Sequence, residues 1–260
     1  MTYGSLINKK EVLLEEFGIK EFTKRLVVCP IEWNHVLPKD WIQRLDKKYR
    51  IDEIEMGDHV LNKIEKNYRI NGTLFLFIGR GIAEATDRFY IMARNAKVDE
   101  IIFLGTCASL VDDLDTGDIN IPRFVLPWED MSAEYVNAFE AIPKANESLV
   151  RKITETAEKA SRKYGIKVAN DNHATVELFY GETVALLGFF RQMNISTIDM
   201  ELSALYRLSA AFDKKAVGIL RVGDRPLHKE EYWSNKHKNK QEKKEQGKEV
   251  ILRIIESLIK

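Results

Sequence analysis

The chain has 260 residues, is 45% hydrophobic and 31% charged, and its 40 basic and 40 acidic side chains leave a formal net charge of zero. Such a composition builds a sizeable core and carries no basic excess for nucleic acid. No apolar run approaches the ~20 residues of a membrane helix.

Cys29 and Cys107 lie far apart in apolar surroundings and read as reduced core residues, not a disulfide or metal pair. The opening Met-Thr-Tyr-Gly-Ser soon turns charged and shows no secretory leader. Together these features point to a cytoplasmic protein. The five histidines form no metal-ligand pattern.

Residues 1–25 read as a peripheral arm with a short helix around Glu11–Glu16. Leu26 to Cys29 reads as a buried strand, followed by a loop from Ile31 to His35 at its carboxyl end. Trp33 and His35 fit loop packing slightly better than a ligand role. The stretch from Lys39 to Asn67 gives mixed, weak signals. Asn71-Gly72 marks a turn into Leu74–Ile78, a continuous apolar run typical of a fully buried strand.

That strand runs into Gly79-Arg80-Gly81, then a helix from Ile82 to about Lys97. Two glycines at such a junction let backbone approach an anion, whose charge the helix start favours. A dinucleotide fingerprint needs a third glycine, and Glu84 stands there instead. Ile101–Leu104 is another buried strand, ending in the small residues Gly105-Thr106-Cys107-Ala108. An acidic turn over 112–117 leads to a strand from Asp118 to Pro122. A surface helix spans Arg151 to Tyr164, with Gly165 as its stop. Strand signals follow at Ile166–Val168 and Val176–Tyr180, separated by a polar loop.

Met200-Glu201 then opens a helix that reaches Phe212, and Val217–Val222 is a strand with Asp224 just past its end. In open α/β sheets ligands bind at such strand ends, so the two carboxylates could converge there. The Lys-rich segment after His228 is interleaved with Glu242, Glu245 and Glu249 and reads as a solvated helix face. Residues 249–260 form a closing amphipathic helix. No repeat or linker divides the chain, so residues 1–260 read as one α/β domain.

Four segments in this order resemble the nucleoside phosphorylase family, which includes purine nucleoside phosphorylases, uridine phosphorylases and methylthioadenosine nucleosidases. They are Gly79-Arg80-Gly81-Ile82, the stretch from Ile101 to Asp118, Val176 to Tyr180, and Asp199-Met200-Glu201 followed by Asp224. The resemblance implies a three-layer α/β/α fold around a mixed, partly barrel-like sheet, assembled as a homo-oligomer (dimer or hexamer). It implies a pentosyltransferase that breaks the N-glycosidic bond of a nucleoside, purine favoured, with phosphate as co-substrate and no resident cofactor.

In that chemistry the ribose ring gains positive charge while the departing base gains negative charge. By resemblance Glu201 holds the ribose hydroxyls with Met200 against the sugar, and Asp224 protonates the base. Phe179 packs on the base face. Gly79, Gly81 and Thr106 match positions near the phosphate or attacking water, and Arg80, Arg123 or an arginine of a partner subunit is a candidate to grip the phosphate.

The chain departs from the pattern in several places. Phe103 stands where a phosphorylase carries a phosphate-gripping arginine, and Cys29-Pro30-Ile31-Glu32 replaces a second arginine-bearing signature. Each lost charge-assisted hydrogen bond is worth roughly 1.5–3 kcal/mol. The nucleosidase branch has a water-activating glutamate where Asn34 stands, with Glu32 nearby. Asp199 replaces a glutamate, Gly223 replaces a serine, and Arg225 is expected to depress the Asp224 pKa. A hydrolytic nucleosidase and a non-catalytic nucleoside- or nucleotide-binding homologue therefore stand as alternatives.

Overall fold

The computed structural model describes residues 10–55, 66–135, 143–228 and 238–260. The start of the expected arm, part of the weak signals before Asn67 and the first half of the Lys-rich segment lie outside these residues.

The core begins with two parallel neighbours. Strand β1 (Arg25–Cys29) pairs with β4 (Thr73–Phe77) on one side and with β5 (Glu100–Ser109) on the other. Covered along both edges and both faces, these strands read as unbroken apolar runs. Leu26, Val27, Val28 and Cys29 are all fully buried. Beyond β4 the sheet continues antiparallel through β3 (Asn67–Ile70) to β2 (Ile51–Ile54), a half-exposed edge.

On its other side, β5 pairs in parallel with β11 (Lys215–Asp224) from Glu100 to Ala108. The strand is therefore longer than the expected Ile101–Leu104. Gly105 and Thr106 lie inside it because β11 supplies hydrogen-bond partners along its whole length. Past Phe103, β1 no longer follows β5. The antiparallel β10 (Thr197–Asp199) joins at Ala108 and Ser109 instead and leads to β9 (His173–Val176) and β7 (Val125–Trp128). Two short strands, β6 (Ile119–Asn120) and β8 (Val168–Ala169), extend from β11. The sheet thus forks at β5 and opens a gap between the end of β1 and β10.

Helices cover both faces, giving the expected three layers. One face holds α2 (Trp33–Val36), α3 (Trp41–Asp46), α6 (Glu147–Ser161) and α9 (Lys238–Leu258). They pack on Val27, Cys29, Ile102 and Leu104. The other holds α1 (Lys10–Phe17), α4 (Ile82–Arg94) and α8 (Leu202–Ala211), packed on Leu26, Val28, Ile101 and Phe103. The alternation of β1 and β5 side chains between these two cores is the period-two geometry of strands. Helices α5 (Met131–Glu134) and α7 (Val184–Gln192) flank the β7–β10 branch.

Several expectations are refined here. In the expected arm, Leu13, Phe17, Ile19 and Phe22 are buried in the second core. Trp33 is a core residue, stacked near Trp41 and Phe75, with its indole N–H donated to Lys66 O at 2.9 Å. The strand signal at Val176–Tyr180 belongs earlier, at His173–Val176, and Phe179–Gly181 is a 3-10 turn. His173 and Thr175 pass for loop residues in the sequence because polar side chains buried against Thr197 and Asp199 give no apolar strand pattern. The Lys-rich segment is not wholly solvated, since Lys248 is buried and pairs with Glu245 at 2.7 Å.

Candidate active site

Met200-Glu201 occupies the junction between β10 and α8. Asp199 fixes that junction from below. Its Oδ2 accepts the Leu202 N–H at 3.0 Å, capping the first turn of α8, while Oδ1 accepts the Thr175 hydroxyl at 2.6 Å. His173 Nε2 lies 2.9 Å from the same oxygen without hydrogen-bond geometry, and its Nδ1 is 2.8 Å from Thr197 Oγ1.

Glu201 is buried, and its Oε1 accepts the Gly81 N–H at 2.7 Å. Burial, reinforced by the nearby Asp199 charge, pushes the Glu201 carboxyl up to about 8 against the opposing pull of the Gly81 N–H and Arg80.

Asp224 is the last residue of β11 rather than a residue beyond it. The register with β5 shifts between Val222 and Asp224, so Asp224 pairs with Ala108 across a bulge. A bulge re-aims the side chain that follows it. Burial pushes the Asp224 carboxyl up to about 7, with Lys244 and Arg221 acting in the opposite direction. The expected depression by Arg225 does not occur, because that side chain turns to Asp115 at 3.4 Å and to the Val111 and Asp112 carbonyls. Arg221 is directed to the His35 carbonyl, at 2.7 Å from its Nη2. Burial outweighs the pull of Lys244 and Arg221 on Asp224.

The gap left by the fork of β5 is a cavity of about 210 Å³. Arg80, Thr106, Phe179, Met200, Glu201 and Asp224 all line it, with Pro30 and Ile31 from the end of β1. Gly79 and Gly81 are not in its wall. Gly81 reaches the cavity indirectly, by anchoring Glu201. Gly79 has φ +77°, and a Cβ there would lie 2.2 Å from Glu84 Cδ. The Glu84 carboxylate, paired with Arg88 at 2.6 Å, thus lies directly over Gly79. Phe103, in the expected arginine position, is fully buried against Phe89 on the α4 side of the sheet.

Two lining residues escape sequence reasoning. Asp199 is visible only as part of the Met-Glu motif, and Glu182 has no motif of its own. The one available signal for Glu182 is its place three residues after Phe179, on the same turn. Among the described lining residues Arg80 is the one cation, facing four carboxyl groups.

Such a cavity can bind a neutral polyhydroxylated ligand, donate a proton near neutrality from Asp224, and accept hydroxyl protons at Glu201. The stretch 78–260 matches the model of the Phosphorylase superfamily. A DeoD-type purine nucleoside phosphorylase of Chromobacterium violaceum is 26% identical over 146 residues, covering 56% of this chain and 60% of that protein. Its Bacillus cereus counterpart is 25% identical over 158 residues, covering 60% and 66%. The match thus spans less than two thirds of either relative.

Two solved structures share the fold. A Toxoplasma gondii purine nucleoside phosphorylase in complex with immucillin-H has a TM-score of 0.70 at 17% identity, covering 92% of this chain and 93% of that one. An AMP nucleosidase from Bacteroides thetaiotaomicron has a TM-score of 0.65 at 18% identity, covering 99% of each. With the glycine loop, the Met-Glu junction and Asp224 all inside the matched stretch, this chain belongs to the Phosphorylase superfamily.

Proposed function

We propose that this chain cleaves the N-glycosidic bond of a purine nucleoside, with inorganic phosphate as the attacking group. One observation carries the reading: Glu201 and Asp224, from different elements, line a single cavity together with Phe179. The names of the DeoD-type relatives favour purine and phosphate. Phe179 offers a π face to the base. Glu201, anchored through Oε1, keeps Oε2 to orient the ribose hydroxyls, and positive charge developing on the ring favours loss of its proton.

As the C1′–N9 bond breaks, its electron pair leaves on the purine, and Asp224 passes its proton to N7. A phosphate oxygen, held near Arg80 and Thr106, bonds to C1′. The products are the free base and a pentose 1-phosphate, and Asp224 regains a proton from solvent. The raised pKa of Asp224 suits it to hold that proton near pH 7.

Hydrolysis is the second reading, and specific features favour it. The Gly81 N–H is committed to Glu201, Phe103 adds no charge, and Arg80 is the one cation in the described wall. A nucleoside panel assayed for free base with and without phosphate decides between them. Release that requires phosphate supports phosphorolysis, and equal release without it supports hydrolysis. Binding with no release in either condition identifies a non-catalytic homologue.

A homo-oligomer in the cytoplasm completes the proposal. Exposed Trp128, Leu178, Val184 and Phe189 around β7 and α7 support self-association, and the buried thiols of Cys29 and Cys107 suit a reducing compartment. Light scattering of the purified protein tests the assembly.

A further inference from the structure

The turn that brings Phe179 to the cavity brings a second group with it. The Glu182 N–H donates to Phe179 O at 3.3 Å, and the Thr183 N–H donates to Gly181 O at 2.8 Å. Thr183 Oγ1 then accepts the Leu186 N–H at 3.3 Å and caps α7. Glu182 is therefore held from both sides by local hydrogen bonds, and it lines the same cavity as Phe179 and Asp224. Among the described residues no cation pairs with its carboxyl, and Asp224 is the one charge that acts on it. Burial, then that neighbour, push Glu182 up to about 7, beside an Asp224 raised to the same range. Two carboxyls thus open on one cavity, and where one carries a proton for a ligand the other can serve it as an acceptor.

We propose that Glu182 reads the 6-position of the purine and selects 6-amino over 6-oxo nucleosides. The inference rests on the nucleoside reading of the cavity and adds a specificity residue to it. In this arrangement Asp224 carries the proton for N7, and Glu182 meets the base with unprotonated oxygens, which can only accept hydrogen bonds. The substituent next to N7 on the same edge of a purine is the one at position 6. An amino group there donates to Glu182. A carbonyl there sets acceptor against acceptor and leaves a buried carboxylate unmatched, which a site of this kind penalises strongly.

The test is calorimetric binding of free adenine and free hypoxanthine to the wild-type protein and to Glu182→Gln, alongside initial rates on adenosine and inosine. The glutamine keeps the size of the side chain and can both donate and accept, and a thermal melt checks that the variant is folded. The wild type is expected to favour the 6-amino compounds by about tenfold or more in affinity and kcat/KM, and Glu182→Gln to bring the ratio to within about threefold. Equal or inverted preference in the wild type overturns the proposal, as does a preference that survives in Glu182→Gln. If folded wild-type protein binds neither base and cleaves neither nucleoside, the nucleoside reading of the cavity falls, and the proposal with it.

Discussion

Glu201 is a carboxyl enclosed by protein, with the Gly81 N–H donated to it and another acid close by. Its folded pKa, about 8, lies above the ordinary 4.5. A carboxyl raised in this way binds its proton more tightly when folded. Its burial is therefore harmless below the unfolded pKa, costs stability progressively as pH rises from about 4.5 through about 8, and costs the full amount above that. Glu201→Gln, which can still accept the Gly81 N–H, is expected to melt higher than the wild type at pH 9 and at the same temperature at pH 4. The same change should raise KM, because the ribose hydroxyls lose a carboxyl oxygen that can accept from them. An unchanged melting difference across pH would show that Glu201 does not carry this burden. Asp224→Asn removes a transferable proton without changing shape. It should lower kcat by about 10²–10⁴-fold while leaving nucleoside affinity within a few-fold. Stopped assays of base release, with binding measured separately, check both halves of that statement.

At the scale of elements, the fork of β5 makes the cavity, and the seam between α9 and β11 holds its floor in place. Gly247 lies in α9 where a Cβ would come within 2.2 Å of Gly117 O and 3.1 Å of Arg221 Cδ. Only a glycine lets the helix approach the turn at Gly117 that closely. Gly247→Ala should destabilise by about 1–3 kcal/mol and, by shifting Arg221 and Lys244, should disturb activity more than a surface change would. Denaturant melts and kcat on the same sample measure the two effects.

The elements most legible in the sequence were those buried on every side. Leu74–Ile78 and Ile101–Leu104 announce themselves because no residue in them faces water. Strands β9 and β10 do not, because His173, Thr175, Thr197 and Asp199 are buried polar groups whose partners come from elsewhere in the chain. Periodicity senses water and apolar contact, and a polar network buried inside a core gives the signal of a loop. The site divides in the same way. Met200-Glu201 and Asp224 carry a recognisable spacing, whereas Glu182 and Lys244 gain their place from a turn and a helix that only the folded chain brings to Asp224.

For the whole molecule, the balance of charge is zero, but its distribution is not even. The cavity concentrates Glu182, Asp199, Glu201 and Asp224 against Arg80, while Arg221, Lys244 and Lys248 gather behind it at α9. An acidic wall favours a neutral, hydroxyl-bearing ligand and a proton-donating step over tight anion capture. The account therefore predicts weak phosphate affinity in the absence of nucleoside, with a Kd in the millimolar range or above (about −4 kcal/mol or weaker). Its central claim is that one nucleoside is held at both ends by the two raised carboxyls. A crystal structure with a bound nucleoside or uncleavable analogue tests it most directly. The account predicts Glu201 within about 3 Å of the ribose hydroxyls and Asp224 within about 3 Å of N7 of the same molecule. A nucleoside seated outside this cavity, or one that leaves either carboxyl without contact, would contradict it.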